Sequence, residues 1–199
     1  MLKKEARQIT GGLSKPSKMP GPAYNLPATE CKTGAKLVKV PDSVCEGCYA
    51  LKGRYNFRNV RLALARRLAS LKHPRWIEAM TVLIKGEPYF RWHDSGDLQS
   101  VTHLANIMKV CKATPETSHW LPTREAGLMK VINPAAIPTN LTIRFSSHMI
   151  NQKPVKFWPW TSTVSTGDFT CPASKQGNQC GSCRNCWDRE VATVSYPKH

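Results

Sequence analysis

Seven of the eight cysteines in this 199-residue chain fall into two groups near its opposite ends. The first group is Cys31, Cys45 and Cys48, a C-x13-C-x2-C pattern followed by Tyr49. The second is Cys171, Cys180, Cys183 and Cys186, a C-x8-C-x2-C-x2-C pattern. Thiolates two residues apart turn toward one ion or cluster when a tight loop joins them, and Gly181 and Asn185 supply that freedom. Four thiolates complete either a tetrahedral zinc site or a cubane iron–sulfur cluster. Consecutive C-x2-C steps are more familiar around clusters, because zinc pairs are usually separated by a longer loop. Three thiolates leave a four-coordinate centre one ligand short. The first group therefore reads as a metal or cluster site with an open position, a zinc site completed by histidine, or a redox dithiol. Cys111 stands apart on the apolar side of an expected helix and reads as a small core residue.

Charge is the other strong feature. Lys and Arg number 29 against 13 Asp and Glu, a formal net charge of +16. Such a surface attracts polyanions, which makes nucleic acid or an acidic host protein the expected partner. Between Glu46 and Glu78 there is no acidic residue. Arg54, Arg58, Arg61 and Lys72 project within a sector of about 60° on the helix expected there. That ridge suits a phosphate backbone, with Tyr55 and Phe57 near enough to stack on bases. A solvated face of a basic helix is the simpler alternative. No base-reading motif is present, so nucleic-acid binding through this ridge would be largely independent of sequence.

Composition sets the remaining bounds. Hydrophobic content of 41% is too high for a wholly disordered chain. No window offers 18 consecutive apolar residues for a membrane span, and no amphipathic segment favours a membrane surface. The charged first ten residues do not read as a secretory signal, so cytoplasm is the expected compartment. Disulfides are disfavoured there, and clustered thiols point to metal or redox chemistry.

The elements that must position these residues can be read from periodicity. Residues 1–30 read as an extended basic arm rich in Pro and Gly. Residues 36–40 (KLVKV) read as a short strand. Val60, Leu64, Leu68 and Leu71 predict a helix over 56–71, and a second helix follows from Pro74 to Gly86. Strands are expected at 88–92, 118–121, 140–146 and 161–166, with a helix capped by Ser100 over 101–113 and a short one through Ile132. Alternating strand, polar loop and helix is the pattern of a parallel sheet, whose ligand site gathers at the carboxyl ends of the strands. The expected fold is therefore α/β, a partial (β/α) barrel or small parallel sheet over 31–165. A basic N-terminal arm (1–30) precedes it and a cysteine-rich metal-binding tail (166–199) follows. His93 and His148 fall at strand ends, where they could act as acid/base groups or as a missing ligand. Arg124 and Arg144 could bind a carboxylate or phosphate, or form ion pairs with Glu125 or Asp97.

The segments CYALKG (48–53), RWHDSGDL (91–98) and CGSCRNCW (180–187) resemble a phage family known as gene product eighty-eight, from about residue 31 to the C-terminus. A distant resemblance is to the radical S-adenosylmethionine (SAM) enzymes, where a three-cysteine loop is followed by a strand ending in a Gly-Gly-Glu-like turn. Here the corresponding turn is Ser95-Gly96-Asp97, and the first cysteine gap is thirteen residues rather than the usual three. That resemblance implies that Cys31, Cys45 and Cys48 hold a [4Fe–4S] cluster and that Ser95, Gly96 and Asp97 line a SAM site. Asp97 keeps the carboxylate that pairs with an ammonium. Two functions follow as expectations: an iron–sulfur enzyme of the radical SAM type in the host cytoplasm, with one or two clusters, or a non-catalytic zinc- or cluster-stapled binding protein.

Overall fold

The computed structural model describes residues 1–198. Six strands run in the order β1-β2-β3-β4-β5-β6, every neighbouring pair parallel. They are β1 (Ala23–Tyr24), β2 (Tyr89–Trp92), β3 (Ser118–Thr123), β4 (Leu141–Ser146), β5 (Thr161–Ser165) and β6 (Thr193–Pro197). The helices are α1 (Lys3–Thr10), α2 (Lys32–Leu37), α3 (Arg58–Ser70), α4 (Trp76–Ile84), α5 (Val101–Ala113) and α6 (Ala126–Met129). Spatial order equal to chain order is the winding of a barrel wall, left open here between β1 and β6. The expected α/β architecture is present.

The two faces of the sheet differ because strand side chains alternate. Phe90, Trp92, Leu121, Leu141, Ile143 and Phe145 meet Met80 and Ile84 of α4 and Leu104, Ile107 and Cys111 of α5 in one buried core. Cys111 is fully buried there, as its position on the apolar side of α5 requires. The opposite, inner face carries Arg91, Trp120, Thr142, Arg144 and Ser146, and residues 185–188 of the tail lie across it. Thr142 Oγ1 donates to the Trp187 carbonyl at 2.7 Å, and Trp187 Nε1 donates to the Phe90 carbonyl at 3.0 Å.

Three expectations about elements are corrected. The N-terminal arm is not extended throughout. Ala6 and Thr10, four residues apart, bury one side of α1 beside Ala79 and Leu83 of α4, and Ala23–Tyr24 join the sheet. KLVKV is not a strand: Val38 N donates to the Gly34 carbonyl at 2.9 Å and Val40 N to Leu37 at 2.9 Å, which continues α2 into a turn. Nor does the sheet end at residue 165, because β6, within the 166–199 tail, pairs with β5 over five residues.

Candidate functional site

β1 and β2 end side by side, and the two motifs leave from those ends. Leu26 N donates to the Ser95 carbonyl at 3.0 Å, and Ser95 Oγ donates to the Leu26 carbonyl at 2.9 Å. Gly96 makes that approach possible. Its φ is +80°, and a Cβ there would stand 2.6 Å from Leu26 Cβ and 2.8 Å from its carbonyl oxygen. No L side chain fits such a position.

The cysteine loop is pinned from several strand ends. Cys31 precedes α2, whose first turn is held by Glu125, just past β3; the Glu125 carboxylate accepts from Thr33 N at 2.9 Å and Thr33 Oγ1 at 2.8 Å. Its second arm is tied to the loop after β4, with Val44 N donating to the His148 carbonyl at 2.9 Å and Ile150 N to Asp42 at 2.9 Å. A tight turn between Cys45 and Cys48 closes with Cys48 N donating to the Cys45 carbonyl at 3.1 Å. Tyr49 Oη donates to the Asp94 carbonyl, and Tyr55 Oη donates to Asp94 Oδ1 at 3.0 Å.

These ties bring Cys31, Cys45, Cys48, Ser95, Gly96 and Asp97 around one cavity of about 610 Å³, with Tyr49, Arg124 and Tyr196 also in its wall. Gly34 keeps the sulfurs clear: a Cβ there would lie 2.9 Å from Cys31 Cβ and 3.7 and 3.8 Å from the sulfurs of Cys31 and Cys45. Burial pushes the Cys31 thiol up, reinforced by the Asp97 carboxylate and the other two thiols. Burial also raises Cys45, while the Arg124 cation opposes it. Asp97 is 5% exposed, and burial lifts its carboxyl to about 6. Its Oδ1 accepts from Leu98 N at 2.7 Å and Thr123 Oγ1 at 2.6 Å, and its Oδ2 from Arg124 N at 2.9 Å. A carboxylate offers about four lone-pair positions, so one on Oδ2 is left for a ligand.

In the second group Arg144 of the inner face holds the Cys186 carbonyl, Cys183 N donates to the Cys180 carbonyl at 3.0 Å, and Cys180 N donates to the Lys18 carbonyl at 2.9 Å. Burial raises Cys186 to about 11, and its sulfur lies 3.1 Å from Tyr196 Oη of β6. Among the described residues, no three His, Cys, Asp or Glu side chains of either group, or elsewhere, close to single-ion spacing.

The remaining expected residues separate. His93 is buried at the end of β2, but it packs on His103 of α5 with ring centroids 5.3 Å apart. Burial holds it well below the usual histidine range, and it does not line the cysteine cavity. His148 donates from Nε2 to the Arg124 carbonyl at 3.0 Å and so positions the cavity wall. Neither Arg124 nor Arg144 pairs with Glu125 or Asp97; ion pairs among the described residues involve only Arg75 and the N-terminus as cations. Arg144 instead clamps the tail. It donates to the carbonyls of Cys186 at 3.1 Å, Asp188 at 2.7 Å, Thr161 at 3.2 Å and Asn185.

The four cations of the expected ridge also divide. Arg54 borders a hollow of about 330 Å³ beside Ser14 and Asp94, whereas Arg58, Arg61 and Lys72 border a larger groove against α5. Periodicity missed Glu125, which holds the turn after Cys31 from 92 positions away, and also Gly34 beside the Cys31 and Cys45 sulfurs and Tyr196 beside Cys186. Arg91 was missed too, although the alternation of β2 places it on the inner face. Its guanidinium lies 4.3 Å from the Trp120 ring centroid, and its Nε is sealed from solvent with no acceptor.

Residues 1–164 match the family model described as Gene product 88. The chain belongs to that family. Comparison with curated proteins and with solved structures gives no match. In this gene product 88 protein the family match holds the cysteine loop, the Ser95-Gly96-Asp97 turn and β1–β4. It stops before Cys171, so the CGSCRNCW segment lies outside it. No helix among the described residues is long and apolar enough to cross a membrane.

Proposed function

We propose that this gene product 88 protein is an iron–sulfur protein of the radical SAM type. In this reading Cys31, Cys45 and Cys48 hold a [4Fe–4S] cluster, and Ser95, Gly96 and Asp97 receive SAM beside it. One observation carries it: three thiols from the β1 loop and the turn after β2 line the same cavity at the carboxyl ends of adjacent parallel strands.

The residues fit such a group. Three cysteine ligands leave one iron position open, and the glycine at 34 keeps a side chain out of the space beside two of the sulfurs. When bound, the cluster supplies single electrons to its neighbour. The chain's own residues do the rest. Asp97 Oδ2 retains capacity to accept from an ammonium, and three protein donors hold the carboxylate in place. Arg124 adds a cation to the wall, while Tyr49 and Tyr55 fix the rim by their bonds to Asp94. The tail offers four thiols for a second centre, zinc or cluster.

Anaerobic reconstitution tests this. Iron and sulfide of about four per chain are expected for one cubane and about eight for two. SAM should perturb the electron spin resonance of the reduced protein, and reduction should yield 5′-deoxyadenosine. Stoichiometric zinc with no iron under the same conditions would overturn the reading in favour of a zinc-stapled binding protein.

A further inference from the structure

A groove against α3 adjoins the cysteine-lined cavity, with Ala28, Ala50 and Leu51 in the walls of both. A helix on a globular protein normally turns its apolar stripe toward the body. α3 does so with Leu68 and Leu71, which pack against the main core, and adds polar ties beside them. Arg67 is 7% exposed and donates from Nε to the Gly12 carbonyl at 2.9 Å and from Nη1 to Ser14 Oγ at 2.9 Å. Ser70 Oγ donates to the Arg67 carbonyl at 2.7 Å and lies 2.7 Å from Tyr24 Oη. Leu64, Leu68 and Leu71 also form part of the wall of a groove shared with the start of α5. Leu62, 53% exposed, lines it as well.

The groove measures about 1390 Å³. That exceeds the range of roughly 300–1,000 Å³ that suits small ligands. Its α3 side carries Arg58, Arg61 and Lys72, against which Glu30 is the one carboxylate in the lining.

We propose that this groove receives an acidic amphipathic helix of a partner protein. Apolar side chains at helical spacing would enter between α3 and α5, and carboxylates flanking them would meet Arg58, Arg61 and Lys72. α3 spans 13 residues. A partner helix of similar length, about 20 Å, would cover it. A second copy of this chain does not meet the requirement. The acidic residues in its six helices are Glu5 and Glu78, and both are tied to Arg75. Nucleic acid fits less well, since it would set phosphates against a leucine floor. The proposal does not depend on any metal at the cysteines.

A fluorescein-labelled synthetic peptide of about 18 residues, with leucines at helical spacing and glutamates on both flanks, gives the test by fluorescence anisotropy on the full chain. Micromolar affinity is expected. A peptide of the same composition with leucines at every second position should bind at least about tenfold more weakly. Leu62→Glu and Arg61→Glu, both at exposed positions, should each weaken binding by about tenfold with an unchanged unfolding midpoint. Hydrogen exchange of residues 58–72 should slow on binding. Equal affinity for the two peptides, or binding indifferent to Leu62→Glu, would overturn the proposal. So would a random-sequence oligonucleotide that displaces the peptide from the wild-type chain at lower concentration than the peptide binds.

Discussion

The three thiols after β1 line an open cavity on a loop tied down at its edges, whereas in the tail the backbone of residues 185–188, Cys186 among them, is held across the inner face of the sheet. In the first group the sulfurs are surrounded by space, a glycine and groups able to meet a ligand. In the second, the backbone carbonyls are the structural element: Arg144 holds those of Asn185, Cys186 and Asp188, and Thr142 holds that of Trp187. A loop built around a cavity can lose a thiol without losing its frame. A tail that covers a polar sheet face cannot lose its clamp without exposing that face.

Arg144→Met breaks the comparison at its strongest point. Arg144 is fully buried, and its guanidinium satisfies four carbonyls. Removing it leaves those acceptors unpaired on a face with little access to water, a loss expected at about 3–5 kcal/mol in urea unfolding. Arg144→Lys should recover only part, because an ammonium cannot reach the same set of carbonyls in one plane. A loss below about 1 kcal/mol would mean that the tail is held by other contacts.

The corresponding weak point of the first site is backbone rather than side chain. Gly96→Ala puts a methyl 2.6 Å from Leu26 Cβ at a φ of +80°. Strain and the forced separation of β1 from β2 should cost about 2–4 kcal/mol. If the unfolding midpoint stays put, the junction is looser than these contacts require.

How much of this was legible beforehand follows the range of the interactions. β2, β4, α3 and α5 came from periodicity, because each buries a face its own sequence marks. β1 and β6 did not. Ala23–Tyr24 are two residues between proline-rich stretches, and Thr193–Pro197 end in proline, so each is a strand only because a neighbour pairs with it. The cysteine groups were visible as spacing, and their separation into a cavity and a clamp was not. That separation depends on Arg144, Glu125 and His148, each acting more than 20 positions away. α3 shows the limit of pattern reading most clearly. Its stripe was located, but the ties of Arg67 to Gly12 and Ser14, more than 50 positions away, carry no local signature.

Acid should weaken the whole sheet through buried histidines. Burial lowers His103 from 6.5 to about 4 and His119 from 6.5 to about 3. Both folded values lie below the unfolded value, so their stability is present above pH 6.5 and is lost as pH falls. Each contributes a loss of about 1.4 kcal/mol per pH unit over its window. Asp97 acts with the opposite sign: its folded value of about 6 lies above 3.8, so acidification through that interval recovers stability. Burial holds His93 well below the usual range too, so between pH 6 and 4 three histidines oppose one carboxyl, and a net loss of at least about 1.4 kcal/mol per unit is expected in metal-free protein. Asp97→Asn should steepen that slope, because it removes the opposing group. A flat profile from pH 6.5 to 4 would contradict the burial of the histidines.

The smallest effects discriminate the two groups most directly. In metal-free protein, Cys186→Ala removes the sulfur 3.1 Å from Tyr196 Oη and leaves a buried hydroxyl without that partner, a loss expected at about 1 kcal/mol. Cys48→Ala, on the half-buried cavity wall, should change stability by no more than about 0.5 kcal/mol. Under iron reconstitution the order inverts for the first site. Cys48→Ala should then remove about four irons per chain while the fold persists. Equal stability losses for the two substitutions in metal-free protein would erase the distinction between a cavity and a clamp. A larger loss for Cys48→Ala would reverse it, making the β1 loop the structural staple and the tail the more adaptable site.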